Sequence, residues 1–139
     1  MALSFQILKS LDLVYVKYIG FVELDASLKT FAEYAAHPDC RPGQKQLIDL
    51  AQVTDLERDF TKIMKHQAQK ADVFTAGTAQ TVVVYYAPTE IAQRMAQIAA
   101  RSWEDVEGII CVILEDEAQA LAVLGLAHNS IAEMLHVNA

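Results

Sequence analysis

A chain of 139 residues, 53% of them hydrophobic and 21% charged, is long enough for one packed domain; at this size roughly two thirds of the unfolded surface is buried on folding. That composition excludes a disordered chain. Eleven Lys and Arg against eighteen Asp and Glu give a net charge of -7, a sign that repels phosphate backbones and anionic headgroups, so nucleic acid and membrane surfaces are not expected partners.

The chain opens without a basic leader, and Lys9 and Asp12 interrupt any apolar signal core. No apolar run approaches the length of a bilayer span, and the cytoplasm is the expected location. Phe5 to Leu8 and Leu13 to Leu24 are rich in β-branched and aromatic residues and read as an opening pair of strands joined by a turn at Ser10 to Asp12. Gly20 inside the second run suggests a bulge or a close backbone approach. Asp25 reads as the N-cap of a helix over Ala26 to Ala36, with Leu28, Phe31, Ala32 and Ala35 at helical spacing towards the core. The prolines and glycine of His37 to Gln44 make that stretch a loop.

Lys45 to Leu50 reads as a short strand. Thr54-Asp-Leu-Glu57 has the form of a capping box. It opens the longest predicted helix, to about Val73, with Phe60, Ile63, Met64, Gln67, Ala68 and Ala71 on its inner face. After a loop at Ala76 to Ala79, Thr81 to Ala87 is a continuous apolar run suited to a strand covered on both faces. A helix then starts at Pro88-Thr89, with Ile91, Met95, Ile98, Ala99 and Trp103 on its buried stripe. Ile109 to Leu114 is a second run suited to a doubly covered strand. Asp116 caps a helix to about Leu124, closed by Gly125, and Ser130 to Val137 makes a final short helix.

The reading is a single α/β domain over residues 1–139, ββαβαβα with a mainly parallel central sheet flanked by helices, the first strand antiparallel, plus a short C-terminal helix. Three stretches carry a resemblance. Val16-Lys-Tyr-Ile-Gly-Phe-Val-Glu-Leu-Asp25 looks like the second strand of SpoIIAA-like (STAS-like) sequences. Leu47-Ile-Asp-Leu-Ala-Gln-Val-Thr54 is similar to the strand and turn "vDls.vt" of STAS domains. Asp116-Glu-Ala-Gln-Ala-Leu-Ala-Val-Leu124 resembles the last helix of the family, with Val123 where a tryptophan is usual.

Together these stretches make the chain similar to the SpoIIAA-like (STAS-like) family, whose relatives include bacterial anti-sigma factor antagonists, over about Phe5 to Leu126. The resemblance implies an α/β fold with protein-binding or small-ligand roles and no reaction. The antagonists carry a phosphorylatable serine within "DSSG"; here the matching region reads Val53-Thr-Asp-Leu-Glu-Arg-Asp59, without serine or glycine, so a phosphorylation switch is not expected.

Ligands of open parallel sheets gather outside the carboxyl ends of the strands. Those ends offer a rim of Asp49, Gln52, Thr54, Asp55 and Arg58, then Tyr86 and Thr89, then Glu115 and Asp116. The carboxylates of that rim would suit a divalent cation, but capping explains them as well, so no metal and no cofactor is expected. His37, His66, His128 and His136 show no ligand spacing, and no nucleophile elbow or glycine-rich phosphate loop occurs. Cys40 and Cys111 form no disulfide framework, and Cys111 reads as inert packing. Tyr85 and Tyr86 should face opposite sides of the sheet.

The expected function is a non-enzymatic binding module for a protein partner, through the rim and the charged face of the helix from Thr54: Glu57, Arg58, Asp59, Lys62, Lys65 and Lys70. A carrier of a small apolar ligand in the manner of CRAL-TRIO domains is the alternative, with Met64, Met95 and Met134 suited to an adaptable cavity. A metal-assisted hydrolase on the acidic rim is a third reading. A homodimer through the apolar edge Phe5 to Leu8 is a further expectation.

Overall fold

The structure is a computed structural model that describes residues 2–76 and 79–138. Its elements in chain order are β1 (Ala2–Leu8), a 3-10 turn (Lys9–Leu11), β2 (Leu13–Val22), α1 (Leu24–Ala35), β3 (Lys45–Leu56), α2 (Phe60–Thr75), β4 (Thr81–Tyr86), α3 (Glu90–Ser102), β5 (Ile109–Leu114), α4 (Glu117–Val123) and α5 (Ile131–Asn138). The fold is therefore α/β, with one sheet, and the observed order is one strand–helix unit longer than ββαβαβα. Gly77 and Thr78, in the loop expected at Ala76 to Ala79, lie outside the described residues.

Strand order follows chain order, β1-β2-β3-β4-β5. β1 pairs antiparallel with β2, and β2–β3, β3–β4 and β4–β5 pair parallel. Crossovers of one hand between successive neighbours deliver successive helices to the same face. α1, α2 and α3 accordingly share one core with Val14, Tyr18, Ile48, Leu50, Val83 and Tyr85. α4 and α5 cover the other face, packing Leu121, Leu124, Ile131 and Met134 against Leu13, Tyr15, Leu47 and Val84. Tyr85 belongs to the first layer and Tyr86 packs against the second, as strand alternation demands.

The largest correction concerns the capping box. Thr54-Asp-Leu-Glu57 does not open a helix: β3 continues through Leu56, and α2 starts at Phe60 with Asp59 as its N-cap, accepting from Lys62 N at 3.1 Å. The cause is two register shifts against β2, one between Lys17 and Ile19 and one between Gly20 and Phe21. Each gives β3 an extra residue, so Leu50, Val53 and Leu56 return to the same core at intervals of three. Interrupted strand alternation then imitates a helical period. Gly20, at φ +84 beside the second shift, supplies the backbone freedom that the distortion requires.

The inner faces of two helices also differ from expectation. In α1 the buried residues are Leu24, Ser27 and Tyr34, while Ala32 and Ala35 are exposed. The helix starts two residues early, at Leu24, with Glu23 and not Asp25 at the cap. Its first free amide, Leu24 N, donates to Glu57 Oε1 at 3.0 Å across the fold. In α2 the buried face is Ile63, His66, Gln67, Ala71 and Phe74, leaving Phe60 55% and Met64 51% exposed. α3 starts at Glu90, just past the expected Pro88-Thr89, with Thr89 as its cap; it buries Ala92, Ala96 and Ala99, with Ile91, Met95 and Ile98 half-buried beside them. Trp103 is core, 4% exposed, and its Nε1 donates to Gln67 O at 2.9 Å.

β5 overturns the remaining expectation. It is not a doubly covered interior strand but the outer edge of the sheet, and none of its six residues is fully buried.

Candidate functional site

The expected rim is only partly assembled. Asp49, Tyr86 and Leu114 stand level across β3, β4 and β5, so Asp49, Tyr86, Glu115 and Asp116 do gather at one end of the sheet. Beyond Asp49, β3 runs on for seven residues beside β2 alone. That extension carries Gln52, Thr54 and Asp55, with Arg58 just past its end, up to about 20 Å along the strand from Asp49. Nor does the sequential order from β2 to β5 reverse, and it is at a reversal that such sheets open a crevice.

The chemistry at the level part of the rim is structural. Asp49 is 9% exposed; it accepts the Tyr15 hydroxyl at 2.5 Å and Ala51 N at 3.0 Å. Burial, and then this carboxylate, raise the Tyr15 phenol well above its ordinary range, so it stays a donor. Burial also raises Tyr86, with the nearby Glu117 and Asp49 adding to the shift. Thr89 accepts from Ala92 N at 3.2 Å and Asp116 from Gln119 N at 3.0 Å, both as helix caps.

On the extension, Asp55 accepts from Leu56 N at 2.9 Å and pairs with Arg58 at 2.8 Å. Those two contacts hold its carboxyl below the usual range, the backbone bond more than the guanidinium. Thr54 and Gln52 are exposed on the strand. The charged patch expected from Glu57 to Lys70 is divided: Lys62 bridges Asp25 at 2.9 Å and Glu57 at 3.5 Å, whereas Lys70 lies over the Phe31 ring at 5.9 Å. Among the described residues no three His, Cys, Asp or Glu side chains converge to hold an ion, and no helix is long and apolar enough to cross a membrane.

Two hollows of about 50 Å³ each lie between the sheet and the α1–α3 layer, both touched by Tyr18, Ser27, Lys70 and Tyr85. The Tyr18 hydroxyl and Ser27 Oγ satisfy each other at 3.1 Å in their walls. Each hollow has room for a few waters at most.

A larger hollow lies elsewhere, along β5. Ile109, Cys111 and Ile113 form one wall of a groove of about 470 Å³ whose other wall comes from Gln97, Arg101 and Trp103 at the end of α3. On the opposite face Ile110 is 47% exposed. The Cys111 thiol, buried enough to be pushed up to about 11, stays protonated at neutral pH. The edge strand is flanked by Glu104, Asp105 and Glu107 on one side and Glu115, Asp116 and Glu117 on the other.

Sequence reasoning missed this surface, although a signal was present. No Lys or Arg follows Arg101, and seven of the eighteen acidic residues do. Residues 1–101 hold eleven acids and eleven bases, so the whole net charge of -7 belongs to the segment that forms β5, α4 and α5. The chain matches no family model and no curated protein.

Proposed function

We propose that this chain is a non-enzymatic binding module of the SpoIIAA-like (STAS-like) type, acting on a protein partner within the cytoplasm. The observation that carries the reading is β5: an edge strand of six apolar residues, none fully buried, with no charge, proline or bulge to blunt it. Open edges expose a row of unpaired backbone donors and acceptors, and strand addition to them is a recurrent mode of peptide recognition. The rim residues enter this reading as the frame of the strand end, through Tyr86, Glu115 and Asp116, and not as reacting groups.

Partner capture followed by hydrogen exchange on the reconstituted complex tests it. Protection is expected at Ile109–Leu114 and is lost in Ile110→Lys; protection confined to other elements overturns the reading. Carriage of an apolar ligand is the weaker alternative, because the two hollows of about 50 Å³ fall far short of the roughly 300–1,000 Å³ typical of ligand sites, and the larger groove along β5 is open and has Gln97, Arg101 and Glu104 in its lining. Native mass spectrometry showing a retained small molecule would restore it.

A further inference from the structure

We infer that the occupant of the β5 edge is an extended segment of a different protein, apolar in its middle and carrying Lys or Arg at both ends. The inference rests on the protein-binding reading and adds the chemistry of the partner. It stands on the conjunction of an open edge, a groove and a segregated charge.

The edge gives the backbone register and the groove gives side-chain specificity. A strand laid beside β5 would send alternate side chains to the two faces of the sheet. On one face they enter the groove beside Trp103, Cys111 and Ile113; on the other they meet the exposed Ile110. Small β-branched residues suit the side of both faces that β5 itself supplies, Ile109, Cys111 and Ile113 on one and Ile110 on the other, while Gln97, Arg101 and Glu104 make the far wall of the groove polar.

The flanks decide what lies beyond that apolar middle. Glu104, Asp105, Glu107, Glu115 and Asp116 are exposed, and Arg101 is the one basic residue of the groove wall. A second copy paired antiparallel along β5 would bring its own acids against these at both ends. Like charges opposed in this way are destabilising, and complementary ones steer association. A second copy is therefore disfavoured, and a partner strand with basic ends is matched.

Fluorescence anisotropy with three labelled synthetic peptides tests the inference. All share one alternating Val/Thr/Ile middle and differ in Lys/Arg, Ser or Glu flanks. The expected order is basic over neutral over acidic, with the basic-flanked peptide losing about tenfold in affinity as salt rises past the screening range. The triple variant Glu104→Lys, Glu107→Lys, Glu115→Lys alters exposed side chains only. It is expected to reverse the order while leaving the circular dichroism and the melting curve unchanged.

Equal binding of all three peptides overturns the charge inference and leaves the protein-binding reading standing. Failure of all three, with hydrogen exchange at β5 unprotected, removes both. A concentration-dependent dimer in sedimentation, abolished by Ile110→Lys, would make the occupant a second copy and overturn the inference.

Discussion

The two edges of the sheet solve the same problem differently. β1 alternates: Ala2, Ser4 and Gln6 are exposed, while Leu3, Phe5 and Ile7 turn inward. Phe5 is fixed edge-on against Tyr34 and His37. β5 has no polar alternation; Ile109-Ile-Cys-Val-Ile-Leu114 reads as a strand for a sheet interior, yet it has a neighbour on one side only. An antiparallel edge can turn a polar face to water, whereas a strand in a parallel sheet is written to be covered by helices on both faces. When such a strand comes last in the order, its apolar side chains are left half-covered. The homodimer expected through Phe5 to Leu8 thus has the less suitable of the two edges: its exposed residues are small or polar, and its aromatic is already engaged.

The sharpest test of this contrast compares one aromatic at each edge. Trp103→Ala, which removes the wall shared by the β5 groove and the core, should cost about 3–5 kcal/mol in urea unfolding. Phe5→Ala, half-buried at β1, should cost about half as much or less. Equal losses would mean that the two edges are anchored alike.

A change on β3, the central strand, calibrates the pair. Asp49→Ala strands the buried Tyr15 hydroxyl and should cost about 1–3 kcal/mol, whereas a loss within experimental error would mean that water replaces the carboxylate. Past the far end of the same strand, Asp59→Ala should cost about 1 kcal/mol as a lost helix cap, and Thr54→Ala on the strand less than about 0.5 kcal/mol. The reverse order would restore the capping box at Thr54.

The smallest effect at neutral pH concerns the thiol of β5. Cys111 has a folded-state pKa raised from 9.0 to about 11, so the folded state holds its proton longer than the unfolded chain does. Its contribution is complete below pH 9.0 and is lost as pH rises through the window to about 11. The buried tyrosines Tyr15, Tyr34 and Tyr85, also raised, extend the loss above 10.0. Urea midpoints should therefore fall from about pH 9 upward, and less steeply at first in Cys111→Ala. An unchanged onset in that variant would assign the whole loss to the tyrosines.

Element type was legible wherever local chemistry was unambiguous. The apolar runs at Thr81 to Tyr86 and Ile109 to Leu114 are strands, Asp116 is a cap, and Trp103 continues the α3 stripe into the core. Legibility failed at Leu50 to Leu56, where two bulges reset the period, and in α1, which starts at Leu24 with its first amide bonded to the distant Glu57. Of the rim, the residues within two positions of a level strand end were gathered, and those on the overlong β3 were carried away.

The amino-acid sequence by itself determined the α/β class, the sequence of most strands and helices, and the segregation of all net negative charge beyond Arg101. Each is set by side-chain chemistry within a few residues or by simple counting. The tertiary structure alone decided that β5 lies at an edge, that β3 outruns its neighbours, and that Asp49 is held by Tyr15. Strand order and register are global properties: an interior strand and an uncovered edge can have the same apolar spelling, and only the neighbours distinguish them.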